Sequence, residues 1–239
     1  AQEILHASKN ISSSFVNAVN LIIDCSGRVV LSGMGKSGHI ARKIASTLAS
    51  TGTPAFFMHP GEASHGDLGM ITKNDIVIIF SNSGQSLEIS SIIPNIKRIG
   101  AKIISICSNS NSDLAIQSDI HISSDVKQEA CPLGLAPTAS STVSLALGDA
   151  LAICILGLRG FTADDFAESH PGGSLGKNLL IKIKDIMRIN NSIPKVTPQS
   201  SLKDAIIIIT KKMVGFTAVI DEKNKPIGIL TDGDLRRAL

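Results

Sequence analysis

The sequence predicts an α/β fold, in which a parallel sheet of five strands with helices on both faces is followed by a small β-α-β-β-α unit. Two observations carry this prediction. Short strands that are apolar throughout alternate with helical stretches along residues 28–159, which is typical of a parallel sheet buried on both faces. After residue 180 the pattern changes to short elements separated by polar turns, which indicates a second, smaller domain.

The elements of the larger unit follow from the spacing of apolar residues. The chain is predicted to open with one amphipathic helix, because Ile4, Ile11, Phe15, Val19 and Ile22 recur at helical spacing. The predicted strands are residues 28–32, 54–58, 75–80, 102–107 and 119–122, with helices at 37–51, 86–99 and 138–159. Ligands of such sheets bind beyond the carboxyl ends of the strands, where the Gly, Ser and Asn residues of this sequence collect.

The smaller unit is predicted from shorter elements. A strand within residues 193–197 precedes a helix at 201–212, and two strands at 217–220 and 227–230 are joined by the polar turn DEKNK. The closing sequence TDGDLRR at residues 231–237 completes a β-α-β-β-α unit.

Composition excludes several classes of function. The net charge is only +3, and no basic run or aromatic platform suggests nucleic-acid binding. The most apolar stretch, residues 143–158, is shorter than the roughly 20 residues that span a bilayer and contains Asp149, so we expect a buried helix. The four cysteines show neither metal nor disulfide spacing, and the first residues, from Ala1, do not have the pattern of a secretory signal. We therefore expect free thiols, a cytoplasmic protein and no membrane partner.

A glycine-rich sequence, GMGKSG at residues 33–38, follows the first strand and is called the glycine loop below. It satisfies the GxGxxG pattern of dinucleotide sites, but the first carboxylate after the second strand, Glu62, comes too late to hold a ribose. A P-loop would need glycine where Val30 stands. Lys36 between the glycines suits direct contact with a charged substrate, although a tight turn with a solvated lysine would give the same pattern.

The third strand ends in SNSGQS at residues 81–86, called the serine loop below. Hydroxyls and backbone N–H groups converge there on a helix N-terminus, which forms an anion site without a cation. A phosphate monoester is the natural ligand. A second polar cluster at residues 137–142 opens the long helix, where it either adds donors to the same edge of the sheet or only caps the helix.

Seven motifs, in one order, give residues 29–180 their resemblance to the sugar isomerase (SIS) domain, and more closely to arabinose-5-phosphate isomerases. They are GMGKSGH at 33–39, TGTPAFF at 51–57, EASHGDLG at 62–69, EACP at 129–132, LAPT at 135–138, GDALA at 148–152 and SHPGGSLG at 169–176. The following segment resembles a CBS module. We predict a SIS domain over residues 1–183 and a first CBS module over residues 184–239, without the second module that family members usually carry.

This resemblance implies interconversion of D-ribulose 5-phosphate and D-arabinose 5-phosphate through an enediol, in supply of the Kdo sugar of lipopolysaccharide. It also implies a cytoplasmic homotetramer with no organic cofactor, and a nucleotide ligand at the CBS module only where two modules pair. Two alternatives stay open. One is another SIS-domain sugar-phosphate isomerase or etherase. The other is a non-catalytic sugar-phosphate sensor, for whose usual helix-turn-helix domain there is no room before Ile4.

An aldose–ketose isomerisation needs a general base near C1 and C2 and a group that stabilises the negative oxygen. At the family positions the sequence offers Lys36, Glu88, Glu129 and His170. We predict that Glu129 is the base, with Glu88 as runner-up. His170 would shuttle protons on oxygen or assist ring opening, and Lys36 would sit at the enediolate or bind the substrate. The predicted substrate- and phosphate-binding residues are Gly35, Ser37, His65, Ser81, Asn82, Ser83, Gly84, Ser86 and Thr138.

No metal is expected to be required. His59, His65 and Asp67 do not have the ligand spacing of zinc sites, and they come from a flexible Gly-rich stretch. Adventitious zinc binding at His65 is compatible with its position in that stretch.

Overall fold

The computed structural model describes residues 1–172 and 181–238. The chain divides into two compact units, Ala1–Leu180 and Ile181–Leu239, and each is described by itself. The domain boundary expected between residues 183 and 184 stays a prediction.

The larger unit is built on a five-stranded parallel sheet. Its strands are β1 Val29–Gly33, β2 Ala55–Met58, β3 Ile76–Phe80, β4 Lys102–Cys107 and β5 Ile120–Ser123, in the order β2-β1-β3-β4-β5. Successive side chains of a strand point to opposite faces of the sheet. In β1, Val29 and Leu31 join one core and Val30 joins the other. The predicted parallel sheet is therefore confirmed.

Helices cover both faces of this sheet, as predicted. They are α1 Gln2–Lys9, α2 Ser13–Ile23, α3 Gly35–Ser50, α4 Pro60–Ala63, α5 Leu87–Ile99, α6 Asp113–Gln117, α7 Ala139–Arg159 and α8 Ala163–Ser169, with a 3₁₀ turn at Asp67–Met70. Buried residues of α2, α3 and α7 form the core on one face. Those of α4, α5 and α6 form the core on the other.

The N-terminal segment differs from its prediction, because the single amphipathic helix is two helices. The chain leaves the helical conformation between α1 and α2, and the Ser12 hydroxyl accepts a hydrogen bond from the N–H of Ser14 at 3.3 Å to begin α2. Ile11, which fits the helical spacing, is 48% exposed at this break. The Ser12 N-cap therefore starts a new helix here, although the spacing of apolar residues alone predicts one continuous helix.

Helix α7 is a long apolar helix that packs into one core of the larger unit. Among the described residues it is the one helix long and apolar enough to cross a membrane. Its buried residues, including Val143, Leu147 and Leu151, belong to the same core as α2 and α3. These contacts make it a core helix, as the sequence predicts.

The smaller unit has the predicted β-α-β-β-α order. After the short helix α9 Ile183–Ile186 and a 3₁₀ turn at Asn190–Ser192 come β6 Lys195–Val196, α10 Leu202–Lys212, β7 Phe216–Ile220, β8 Pro226–Thr231 and α11 Asp232–Ala238. The three strands form one sheet in which β6 and β7 are parallel and β7 and β8 antiparallel. On β8, Ile227 and Ile229 are 58% and 61% exposed.

Candidate active site

The strand order places a crevice between two loops that the sequence singles out. The chain moves from β1 outward to β2 on one side, whereas from β3 it moves to β4 and β5 on the other. Sheets of this order bind ligands where the direction reverses, at the carboxyl ends of the two central strands. The glycine loop follows β1 and the serine loop follows β3, so both lie at this crevice.

The first and last glycines of the glycine loop, Gly33 and Gly38, lie too close to neighbouring backbone atoms for a side chain to fit. A Cβ on Gly33 would lie 2.9 Å from the carbonyl oxygen of Phe80, and one on Gly38 would lie 2.6 Å from the carbonyl oxygen of Gly33. Gly35 has a φ of +52° and begins α3. The GxGxxG pattern is thus explained by the turn from strand to helix, and Lys36 stands exposed in the first turn of α3.

Two serines shape the serine loop, and a third remains free. The Ser81 hydroxyl accepts a hydrogen bond from the N–H of Gly84 at 3.0 Å, and the Ser83 hydroxyl accepts one from the N–H of Gln85 at 3.3 Å. Ser86 is the N-cap residue of α5, yet its side chain makes no capping bond. Within the described residues, its buried Oγ has no hydrogen-bond partner, and a buried polar atom of this kind calls for one.

Helix α5 adds positive potential to the same place. Its 13 residues carry backbone N–H groups in the first turn that have no intrahelical acceptor. The aligned peptide dipoles favour an anion at this end. With the free hydroxyl of Ser86 in front of it, the helix forms a receptor suited to a phosphate group.

A cavity of about 210 Å³ connects the two loops. Lys36 and Ser37 contribute from the glycine loop and Asn82 from the serine loop, and Pro137, Ser140 and Ser141 contribute from the start of α7. The structure therefore brings Lys36, Ser37 and Asn82 to one cavity, and their roles stay predictions. The polar cluster at residues 137–142 adds its hydroxyls to the same edge of the sheet.

A second cavity, of about 380 Å³, lies on the other side of the serine loop. Asn82 lines this cavity too, together with Ser108, Asp125, Lys127, Gln128 and Glu129. The sequence patterns do not predict Asp125 and Gln128 as site residues, because neither belongs to a loop of recognisable pattern. Their position directly after β5, at the carboxyl end of the sheet, is the signal that could have found them.

Glu129 is held by the first turn of α7. One carboxylate oxygen, Oε2, accepts hydrogen bonds from the N–H of Thr138 at 2.8 Å, the hydroxyl of Thr138 at 3.0 Å and the N–H of Ser140 at 3.3 Å. The other oxygen, Oε1, accepts from the Ser140 hydroxyl. Glu129 also lines a larger open cavity of about 970 Å³ with the start of α1 and residues 130–132.

These bonds set the charge of Glu129. Burial raises its pKa, but the hydrogen bonds from Ser140 and Thr138 favour the ionised form more strongly, and the pKa falls from 4.5 to about 2. The carboxylate is therefore negative at neutral pH, and most of its lone pairs are engaged. Thr138, predicted to bind substrate, contacts Glu129 directly.

The remaining predicted residues lie farther out. Glu88 is exposed in the first turn of α5, and His65 is exposed after α4, at the edge of the sheet beside β2. Neither is among the residues that line the three cavities. Within the described residues, no group of three His, Cys, Asp or Glu side chains could hold a metal ion.

His170 directly follows helix α8, which comes after α7 in the chain. Its ring stacks on Phe166 with centroids 4.0 Å apart, and its Nδ1 lies 3.0 Å from the Phe166 carbonyl oxygen. Helix α7 runs away from the crevice over 21 residues, about 30 Å, before the chain enters α8. At its far end Arg159 donates to the carbonyl of Ile22, at the end of α2. The rest of the SHPGGSLG motif, residues 173–176, lies outside the described residues.

Two domain families match this chain. The SIS domain matches residues 22–154 and the CBS domain matches residues 183–239. The first range contains the glycine loop, the serine loop and Glu129, and the second covers nearly all of the smaller unit.

Relatives resemble the chain over almost all of its length. The arabinose 5-phosphate isomerase KdsD of Pseudomonas aeruginosa is 56% identical over 229 residues, which cover 96% of this chain and 70% of the relative. KdsD of Yersinia pestis is 56% identical over 227 residues, covering 95% and 69%. A solved structure from Escherichia coli CFT073, the protein c3406 in complex with arabinose 5-phosphate, has a TM-score of 0.70 at 47% identity, covering 71% of this chain and 90% of that one.

Proposed function

The chain belongs to the SIS-domain family of arabinose 5-phosphate isomerases, and from this premise we propose that it interconverts D-arabinose 5-phosphate and D-ribulose 5-phosphate through an enediol. One observation carries the proposal. The serine loop presents the N-terminus of α5 and the buried Ser86 hydroxyl, which has no hydrogen-bond partner among residues 1–172 and 181–238, at the crevice between β1 and β3. Such an arrangement binds a phosphate monoester and leaves the sugar chain free to extend into the neighbouring cavities.

The phosphate is held by Ser81, Asn82, Ser83, Gly84 and Ser86 in this proposal. Hydrogen bonds to a charged oxygen are about twice as strong as neutral ones. The free hydroxyl of Ser86 and the first-turn amides of α5 need no rearrangement to donate them.

The chemistry takes place around Lys36 and Glu129. A base removes the proton from C1 of the ketose or C2 of the aldose, and the same group returns it to the other carbon. The negative oxygen that forms needs a nearby positive charge. Lys36 lines the cavity beside the serine loop and supplies that charge. Gly35 and Ser37 hold the glycine loop around the substrate.

Glu129 is our proposed base, because it lines the cavity of about 380 Å³ that Asn82 of the serine loop also lines. Its pKa of about 2 keeps it ionised but makes it a weak base, and efficient bases have pKa values nearer the working pH. In this proposal, substrate binding draws the carboxylate away from the Ser140 hydroxyl, which would raise its pKa. Glu88 stays the second candidate, and Thr138 positions Glu129.

We further propose that the active site is completed between subunits of a homotetramer. Helix α7 runs about 30 Å away from the crevice before the chain reaches His170, so in this proposal a neighbour's His170 serves as proton shuttle. His65, exposed beyond the edge strand β2, is placed to approach a neighbour in the same way. Only 39% of the most apolar stretch of α7 is buried within the chain, which leaves apolar surface for association.

The cellular role follows from the product. D-Arabinose 5-phosphate made by this chain would supply synthesis of the Kdo sugar of lipopolysaccharide. The proposed site of the reaction is the cytoplasm, where sugar phosphates are kept.

The test is a direct assay of the purified chain. Incubated with D-ribulose 5-phosphate, it should form D-arabinose 5-phosphate, detected by chromatography or NMR. The same concentration of a hexulose 6-phosphate or a heptulose 7-phosphate should be converted much more slowly. Faster turnover of either of these substrates would replace the proposed activity by that of another SIS isomerase, and no turnover of any would remove the enzyme proposal.

A further inference from the structure

The loop that follows β4 holds the serine loop through its carbonyl groups. The N–H of Ser108 donates to the carbonyl oxygen of Asn82 at 3.1 Å, and the hydroxyl of Ser108 donates to the same oxygen at 2.6 Å. The carbonyl of Gly84 accepts from the N–H of Leu114 at 3.2 Å. Both carbonyls are thus fixed on the β4 side of the serine loop.

The position of Gly84 shows how closely the two loops meet. Gly84 has a φ of +69°, and a Cβ added there would lie 2.1 Å from the Ser112 hydroxyl and 3.3 Å from the Cys107 sulfur. Ser112 is fully buried and its hydroxyl donates to the carbonyl of Asn109 at 2.7 Å. The serine loop therefore rests on a packed surface and cannot shift toward β4.

Because the Asn82 carbonyl is held in place, the direction of the neighbouring Ser83 N–H is also fixed. The peptide unit that carries this carbonyl also carries the N–H of Ser83, and in a planar trans peptide the two point in opposite directions. The described residues contain no cis peptide bond. Because β4 and β1 flank β3 on opposite sides, a carbonyl turned toward the β4 loop turns the N–H of Ser83 toward β1, into the crevice.

From this geometry we propose that Ser108 is a positioning residue for phosphate binding. By holding the Asn82 carbonyl with two donors, it aims the N–H of Ser83 at the substrate phosphate without touching the substrate's reacting atoms. This inference rests on the proposed function in one respect, namely that the serine loop is the phosphate site.

The experiment measures binding of inorganic phosphate to the full chain by isothermal titration calorimetry, and turnover of arabinose 5-phosphate in parallel. Ser108→Ala removes one of the two donors to the Asn82 carbonyl. We expect a rise of about 3- to 10-fold in the Kd for phosphate, the size of one lost hydrogen bond. The KM should rise by the same factor with kcat within about twofold, because the bond acts equally on ground state and transition state.

Two further variants separate positioning from general loss of structure. Ser110→Ala changes an exposed serine of the same loop and should leave the Kd for phosphate at the wild-type value. Ser108→Thr keeps a hydroxyl at the same position and should restore most of the lost phosphate affinity. Loss of structure alone would not be rescued by threonine.

Each outcome supports or overturns the role of Ser108. If Ser108→Ala binds phosphate as tightly as Ser110→Ala does, or lowers kcat while the Kd is unchanged, the proposal is wrong. It is also wrong if the wild-type chain does not bind phosphate. If the wild type binds phosphate but does not isomerise the sugar, the proposed function fails by itself, and the phosphate affinities of the variants still decide the role of Ser108.

Discussion

At the residue scale, the structure gives individual serines of one loop different roles. Ser81 and Ser83 accept hydrogen bonds from backbone N–H groups within the loop, whereas the Ser86 hydroxyl is buried and has no partner in the described part of the chain. Ser81 and Ser83, which shape the loop, are therefore close in sequence to Ser86, whose hydroxyl is available to a ligand. Their contributions can be separated by substitution.

The first prediction concerns the phosphate. Replacing both Ser83 and Ser86 by alanine should raise the KM for arabinose 5-phosphate sharply. Each lost hydrogen bond to a charged oxygen costs on the order of 1.5–3 kcal/mol. Steady-state kinetics measure the effect, and Ser91→Ala on the exposed side of α5 is the matched control. An unchanged KM in the double variant would show that the phosphate binds elsewhere.

The second prediction concerns the base. Glu129→Gln keeps the shape of the side chain and removes its basicity, so kcat should fall by at least about a hundredfold while KM changes little. Exchange of the C1 proton of the ketose with deuterium from solvent should slow in parallel. Native-rate exchange in this variant, together with slow exchange in Glu88→Gln or His170→Ala, would transfer the role to that other residue.

The third prediction concerns pH and stability. The folded-state pKa of Glu129, about 2, lies below its ordinary value of 4.5. The carboxylate therefore stabilises the fold fully above pH 4.5, and this stabilisation is lost as the pH falls toward 2. Glu129→Gln should melt below the wild type at neutral pH, and the gap should narrow steadily below pH 4.5. A gap that stays constant down to about pH 3 would contradict the hydrogen bonds to α7.

At the scale of elements, loops of the larger unit are positioned by the packing of neighbours. The turn from β1 to α3 needs the close approach at Gly33 and Gly38. The serine loop is supported by the loop that precedes α6. Short helices such as α4 and α6 were not predicted, because four or five residues are too few to show a period.

The fourth prediction compares two glycines with similar backbone angles. Gly84 has a φ of +69° and would place a Cβ 2.1 Å from Ser112, whereas Gly160 has a φ of +65° and would meet nothing within 4 Å. Alanine at Gly160 should cost about 1–2 kcal/mol for its left-handed backbone alone. Alanine at Gly84 should lower the melting temperature clearly further. Equal melting temperatures would mean that the serine loop can move away from Ser112.

At the scale of the whole molecule, the residues that we propose for catalysis lie on elements that are far apart along the chain. Lys36 and Glu129 line cavities at the crevice, while His170 comes after α7 and α8 in the chain. The outer side of α7 exposes Ile153 and Leu158, which are 56% and 65% accessible. Association of subunits would bury such surface and could return a histidine to each crevice.

The fifth prediction tests that arrangement by mixing subunits. The wild type should be a tetramer by light scattering at micromolar concentration. His170→Ala and the Ser83→Ala/Ser86→Ala double variant should each be nearly inactive alone. Co-expressed, they should regain up to about a quarter of wild-type activity, because random assembly pairs an intact loop with an intact neighbour's histidine in that fraction of sites. No recovery in mixed tetramers, or a monomeric wild type, would remove the shared site.

The sequence by itself determined the sheet, the order of the two units, the family and the two loops at the crevice. Apolar runs and glycine patterns reflect strand burial and turn geometry. These features depend on residues close together in sequence, so the sequence alone predicts them. The order of motifs such as GMGKSGH and SHPGGSLG predicted the family, and the relatives confirm it.

Only the tertiary structure decided which of the candidate residues meet. Glu129 is separated from Ser140 by a loop, Asn82 from Ser108 by a helix and a strand, and His170 from Lys36 by most of the domain. Contacts of this kind depend on where the sheet brings distant loops, and on the length and direction of α7. They also set the ionisation of Glu129, since a pKa reflects the donors that folding places around a carboxylate, which no pattern along the chain records.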